Sequence, residues 1–145
     1  GFAQPGHING PAPGKRPYHT VVPGAATKNG QFLAVLGVVG GAMQPQGQVQ
    51  LLARMLAGGE APQAALNQPR WRLEGNRVLA LEAGTHADVI AALRAAGYRE
   101  PTGEGELNGR NNFGGAQCIV RLPDGRLCGA SDPRKDGMAL AVNTH

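Results

Sequence analysis

The segment VVGGAMQPQG, residues 38–47, sets two glycines between an apolar run and a polar, glycine-spaced stretch. A strand that ends in Gly40 and Gly41 ahead of a helix leaves main-chain N–H groups unshielded by side chains, and such groups can stabilise negative charge growing on a carbonyl oxygen. The same pair also permits the positive φ angles of a tight turn, and the local pattern alone favours that simpler role. Upstream, GKRPYHT places His19 and Thr20 as a polar pair beside the glycine turn, or as part of a surface strand opened by Pro17.

Other chemistry is harder to assemble. His7, His19, His86 and His145 show neither His-x-x-x-His nor paired-carboxylate spacing, so no metal site is expected. Ser131, in GASDP, lacks the G-x-S-x-G frame of a nucleophile elbow. Cys118 and Cys128 flank IVRLPDGRL; across a hairpin they share a face diagonally, near the limit of disulfide reach, and read as two buried thiols. Asp132, Arg134 and Asp136 make either an ion-pair cluster or a solvated turn.

These residues need elements to hold them. Residues 1–16 are rich in Gly and Pro without a period and read as an irregular arm. Residues 18–22 and 31–39 suit the strands of a hairpin about the TKNG turn at 27–30, and LAVLGVV, apolar on both faces, suits a central strand covered by layers on either side. Val49, Leu52, Ala53 and Leu56, widened by Leu51 and Met55, predict an amphipathic helix over 46–57 stopped by Gly58 and Gly59. A short helix follows in APQAALN, with Pro62 in its first turn and Pro69 beyond its end.

Residues 77–83 alternate as a half-buried strand does. Thr85 then caps a helix with Asp88 three residues on, a buried stripe of Val89, Ile90, Leu93 and Ala96, and a stop at Gly97. Residues 101–116 form a long loop, AQCIVRL and RLCGAS a second hairpin about PDG, and SDPRKDGMALAV a turn with a short closing strand. Hairpins mixed with helices, without regular βαβ alternation, give an α+β class.

A length of 145 residues is that of one domain or part of one, residues 1–145. The 23 glycines and 11 prolines weight it towards turns, and the scarcity of aromatics leaves the core to Ala, Val, Leu and Ile. The formal charge of +4 is spread along the chain without interleaved aromatics, which argues against a nucleic-acid groove. No apolar stretch approaches the ~20 residues needed to span a bilayer. Residues 1–16 lack a secretory signal and an initiator Met, which suggests a processed or internal start; the compartment stays open between cytoplasm and periplasm or secretion.

Four ordered segments, GKRPYHTVVPGA, VVGGAMQPQGQVQLLARML, APQAALNQPRWR and GASDPRKDGMALA, resemble the C-terminal part of the small subunit of γ-glutamyltranspeptidases. The match runs over nearly the whole chain, and the PYHT and GGAMQPQG wording is similar to the bacterial γ-glutamyltranspeptidase-like branch. The resemblance implies a four-layer αββα sandwich of the N-terminal-nucleophile hydrolases, made by autocleavage of a precursor, with the newly exposed Thr as nucleophile and base. It implies no cofactor. Implied partners are the large subunit, the N-terminal part of the small subunit, and a small γ-glutamyl or related acyl amide such as glutathione.

By the same resemblance Gly40 and Gly41 match the pair whose amides form the oxyanion hole, which reverses the turn-only preference. The family's Ser-Ser pair, which grips the substrate α-carboxylate, falls on His19 and Thr20, and Gly1 takes the place of an Asp that holds the substrate amino group. The catalytic Thr is expected upstream of Gly1, since Thr20, Thr27, Thr85, Thr102 and Thr144 lie in other contexts; the chain alone is then inert. The alternative is a noncatalytic structural fragment or binding module that keeps the fold, told apart by the residue at the precursor cleavage site. Apolar surface left uncovered in either case predicts a companion chain or homo-oligomer.

Overall fold

The computed structural model describes residues 6–100 and 110–142. Gly1, Thr102, Thr144 and His145, and most of the long loop, lie outside the described residues. Four strands, β1 (Gly24–Lys28), β2 (Gln31–Val39), β5 (Gly115–Arg121) and β6 (Leu127–Ser131), form an antiparallel sheet in the order β1-β2-β5-β6. Between β2 and β5 the chain builds α1 (Met43–Leu52), α2 (Pro62–Asn67), a hairpin of β3 (Trp71–Gly75) with β4 (Val78–Leu81), and α3 (Ala87–Ala95).

The first hairpin is as expected on its second strand and displaced on its first. Asn29 (φ 53°) and Gly30 (φ 73°) make a two-residue turn with both φ angles positive, which fixes the partner as the strand immediately before it, Gly24–Lys28. Residues 18–22 are therefore not the paired strand. They run irregular and exposed ahead of Pro23, which has no N–H to give a ladder.

Pleat alternation divides the sheet into two faces. Ala34, Leu36 and Val38 of β2, Ala116 and Cys118 of β5 and Ala130 of β6 are buried beneath Leu51 and Met55 of the first helical segment and Ala65 and Leu66 of α2. On the opposite face Val35, Ile119 and Leu127 are exposed, so the chain supplies one helical layer and one sheet layer, and β2 is covered on one side. Residues 138–142 cross that open face as irregular chain instead of the expected closing strand. Their approach is close: a Cβ on Gly129 would come within 2.9 Å of the Ala139 Cβ.

α1 begins earlier than expected, passes into a π-helical turn over Ala53–Ala57, and stops at Gly58 and Gly59 (φ 70°). Its buried face is Met43, Gly47, Gln50, Leu51 and Met55, while Val49 (61% exposed) and Leu56 (49%) point away from the sheet, so the predicted stripe is turned out of place. Gly47 sets the rotation. A Cβ there would lie 2.8 Å from Val38 Cγ1, so a glycine mid-helix, at a cost of roughly 1 kcal/mol, lets the helix sit directly on β2.

α2 starts at Pro62 and ends before Pro69 as predicted. The β3–β4 hairpin, turning at Asn76 (φ 46°) and Arg77 (φ 60°), was visible only as its second strand, and Leu79 and Ala80 are both buried where alternation was expected. α3 is capped by His86, whose Nδ1 accepts from the Asp88 amide at 3.3 Å, because the Thr85 hydroxyl is engaged with the Glu82 carbonyl at 2.7 Å. None of its residues is buried; Ile90 and Leu93 are half-buried, and Val89 is exposed. The second hairpin forms about PDG, with Cys118 opposite Ala130 and Cys128 opposite Val120, so the two thiols are diagonal and free.

Among the described residues no helix is long and apolar enough to cross a membrane.

Candidate functional site

The carbonyls of Gly40 and Gly41 are used by the helix: they accept from the amides of Met43 and Gln44, each at 3.0 Å. Their own amides donate to no protein acceptor among the described residues. Both glycines are exposed and left-handed, with φ 123° and 56°. Two bare N–H groups thus stand at the start of a ten-residue helix with no acidic side chain in its first turn, where the helix dipole adds positive potential.

Gly40 is also bare because of what lies behind it. A Cβ there would come within 3.2 Å of Met43 Cβ and 3.3 Å of Gly114 Cα; Gly114 (φ 74°) is itself pressed against the Val39 carbonyl, 2.4 Å from where its own Cβ would lie. Gly41 faces open space, with nothing within 4 Å of a notional Cβ. One glycine is demanded by packing and φ, the other by φ alone.

The support beneath Gly114 is a buried ionic network. Arg70 donates to the Phe113 carbonyl at 3.0 Å and to Asp132 Oδ2 at 2.6 Å, and the same oxygen accepts from the Ala116 amide at 2.7 Å. Asp132 Oδ1 accepts from the Arg134 amide at 2.9 Å and its guanidinium at 3.1 Å. Arg134 reaches on to Glu82 and to the carbonyls of Leu66 and Gln68, each carbonyl at 2.8 Å. Burial raises the Asp132 carboxyl, but the amides of Arg134 and Ala116 and the Arg70 guanidinium outweigh it and hold it below its ordinary value. Of the two readings left open for 132–136, the ion-pair cluster holds for Asp132 and Arg134, completed by Arg70 and Glu82, while Asp136 is exposed as in a solvated turn.

His19 and Thr20 lie on the exposed segment before Pro23, and side-chain amides of α1 hold that segment. Gln44 Nε2 donates to the Thr20 carbonyl at 2.7 Å, its Oε1 accepts from the Val22 amide at 3.0 Å, and Gln48 donates to the Val22 carbonyl. The polar pair and the glycine turn are therefore brought to the same end of the same helix. On the other side of α1, Gln46 brackets Leu73 (2.7 and 3.3 Å) and Gln50 brackets Trp71 (3.0 and 2.9 Å), pairing the free edge of β3.

Four glutamines at every second position, QPQGQVQ, serve two strand-like segments in i, i+4 pairs. The geometry suits this, since four helical residues rise about 6 Å and two extended residues about 6.7 Å. The regular glutamine spacing was the available signal, and Arg70 had none beyond its place after Pro69. No group of three or more His, Cys, Asp and Glu that could hold a metal occurs among the described residues.

A helix-covered antiparallel sheet of this kind is shared with solved N-terminal-nucleophile hydrolases, the γ-glutamyltranspeptidases and acylases. The cephalosporin acylase of Bacillus halodurans superposes with a TM-score of 0.79 at 39% identity, over 97% of this chain and 26% of that one. The family model for γ-glutamyltranspeptidase matches residues 1–142, and the chain belongs to that family. It is 38% identical over 140 residues to the oxamate amidohydrolase proenzyme of Klebsiella pneumoniae subsp. pneumoniae, covering 93% of this chain. To the glutathione hydrolase-like YwrD proenzyme of Bacillus subtilis it is 34% identical over 146 residues, covering 94%. The chain spans 26% of the length of each of these two curated relatives. Its sheet and helices are one α and one β layer of the αββα sandwich.

Proposed function

We propose that this chain is the C-terminal part of the small subunit of a γ-glutamyltranspeptidase-like enzyme that hydrolyses or transfers γ-glutamyl or related acyl amides. The observation that carries the reading is the unpaired amides of Gly40 and Gly41 at the start of α1. A Thr supplied by the precursor outside this chain attacks the amide carbonyl, its own α-amino group taking the hydroxyl proton. The carbonyl oxygen becomes an oxyanion held by the two glycine amides. The C–N bond breaks, the amine leaves with the proton, and water or a second amine then releases the acyl group from the Thr ester.

His19 and Thr20 form part of the wall that faces the acyl group. Thr20 offers a hydroxyl where the family's serine pair would grip a carboxylate, and His19 is larger than a serine, which moves specificity away from a strict γ-glutamyl group. The relatives named for oxamate and cephalosporin amides define the probes for that shift. The large subunit and the rest of the small subunit, from the same precursor, complete the cavity.

The test is expression of the full precursor with glutathione, oxamate and a cephalosporin side-chain amide as substrates. Self-cleavage into two subunits and an acyl adduct on the new N-terminal Thr, seen by mass spectrometry with at least one amide, are expected. A cleavage site without a hydroxyl or thiol, or no adduct with any of them, overturns the reading.

A further inference from the structure

We propose that Gln44 is a positioning residue that sets the separation between the substrate wall at His19–Thr20 and the oxyanion turn at Gly40–Gly41; the inference rests on the function proposed above. Among the described residues, Gln44 makes hydrogen bonds that reach both sides. Its backbone amide donates to the Gly41 carbonyl at 3.0 Å, and its side chain takes the Thr20 carbonyl at 2.7 Å and the Val22 amide at 3.0 Å. Since the C=O of one residue and the N–H two residues on lie on the same side of an extended chain, the carboxamide stands in for a ladder partner opposite Val21. Residues 15–23 lie outside any strand or helix and are exposed, with Gln48 adding a further bond at the Val22 carbonyl.

The two attachments are separable. Loss of the side-chain amide releases the wall, whereas the glycine turn keeps its bond because that bond is made by the Gln44 main chain. A wall that holds substrate equally in ground and transition states affects KM, while the oxyanion donors affect kcat. Gln46, two residues on, uses the same kind of bond on β3 and is the internal control.

In the full precursor, Gln44→Met should raise KM for the best acyl amide about tenfold while kcat stays within about threefold, for the loss of two hydrogen bonds to the wall. Gln46→Met should leave KM within about twofold, since it removes no bond to that segment. Gln44→Glu retains the acceptor for the Val22 amide and loses the donor to Thr20. Its KM should be intermediate, and it serves if the methionine variant fails to mature. An active enzyme whose KM is unchanged in both Gln44 variants, or whose kcat falls alike in Gln44→Met and Gln46→Met, overturns the inference alone. A precursor inert towards every acyl amide overturns it together with the reading of function.

Discussion

Gly40 and Gly41 are adjacent, both left-handed and both exposed, yet they are not equivalent. At Gly40 an added methyl meets Met43 and Gly114, so Gly40→Ala must move the turn as well as strain it; at Gly41 the methyl enters open space and pays only for φ. Left-handed backbone costs a non-glycine residue about 1–2 kcal/mol. Gly41→Ala should therefore lower stability by about that amount and kcat modestly, whereas Gly40→Ala, which displaces a proposed oxyanion donor, should lower kcat by about 10²-fold or more. Turnover of the matured enzyme beside its thermal midpoint separates the two effects. A Gly40→Ala enzyme with normal kcat would show that its amide does not face the reacting oxygen. Cys118 illustrates the opposite case of a residue with chemistry it does not use: burial pushes its thiol up to about 11 and keeps it protonated at neutral pH.

At the scale of elements, the junctions are held by polar groups as much as by the apolar core. Glutamine amides hold the irregular segment at Thr20–Val22 and close the β3 edge at Trp71 and Leu73, and Gln63 of α2 brackets Ser131 of β6 in the same way, at 2.9 and 3.2 Å. The network of Arg70, Asp132, Arg134 and Glu82 ties the end of α2 and both strands of the small hairpin to β5 and to the residues behind Gly40. Asp132→Asn keeps the shape but leaves Arg70 and Arg134 short of one buried negative charge, for an expected loss of about 3–5 kcal/mol in denaturant unfolding at neutral pH.

The pH dependence has a definite sign. The folded carboxyl lies below its ordinary value, so its contribution is present above the unfolded carboxylate pKa of about 3.9 and is lost as pH falls through the folded value. The stability difference between wild type and Asp132→Asn should shrink in acid. A gap that stays constant down to the acid transition would remove Asp132 from the account.

For the whole molecule, the open face of the sheet is the dominant fact. Val35, Ile119 and Leu127, with Leu140 (73% exposed) and Val142 (84%) in the strap that crosses them, border a trough of about 1100 Å³. In the αββα sandwich this is the side on which the second sheet lies. The isolated chain should bind a hydrophobic dye and self-associate, the matured two-subunit enzyme should do neither, and Ile119→Thr should weaken both effects in the isolated chain. Dye fluorescence with gel filtration reads this directly. A monomeric, dye-free isolated chain would mean that the strap already closes the sheet.

What the sequence determined by itself is what depends on neighbours along the chain. The turn at Asn29–Gly30, the proline start of α2, the hairpin about PDG and the glycines before α1 are set by backbone freedom and short-range patterning, and the family follows from the order of four segments. Tertiary structure decided the rest. Rotation of α1 depends on Gly47 meeting Val38 and on Gln50 meeting Trp71, contacts that no helical period encodes. Residues 18–22 are not a ladder strand, and at Thr20 and Val22 their partner is a side-chain amide 22 to 24 residues away. Arg70 and Asp132, 62 residues apart, become a pair only when burial removes the water that would otherwise solvate each alone.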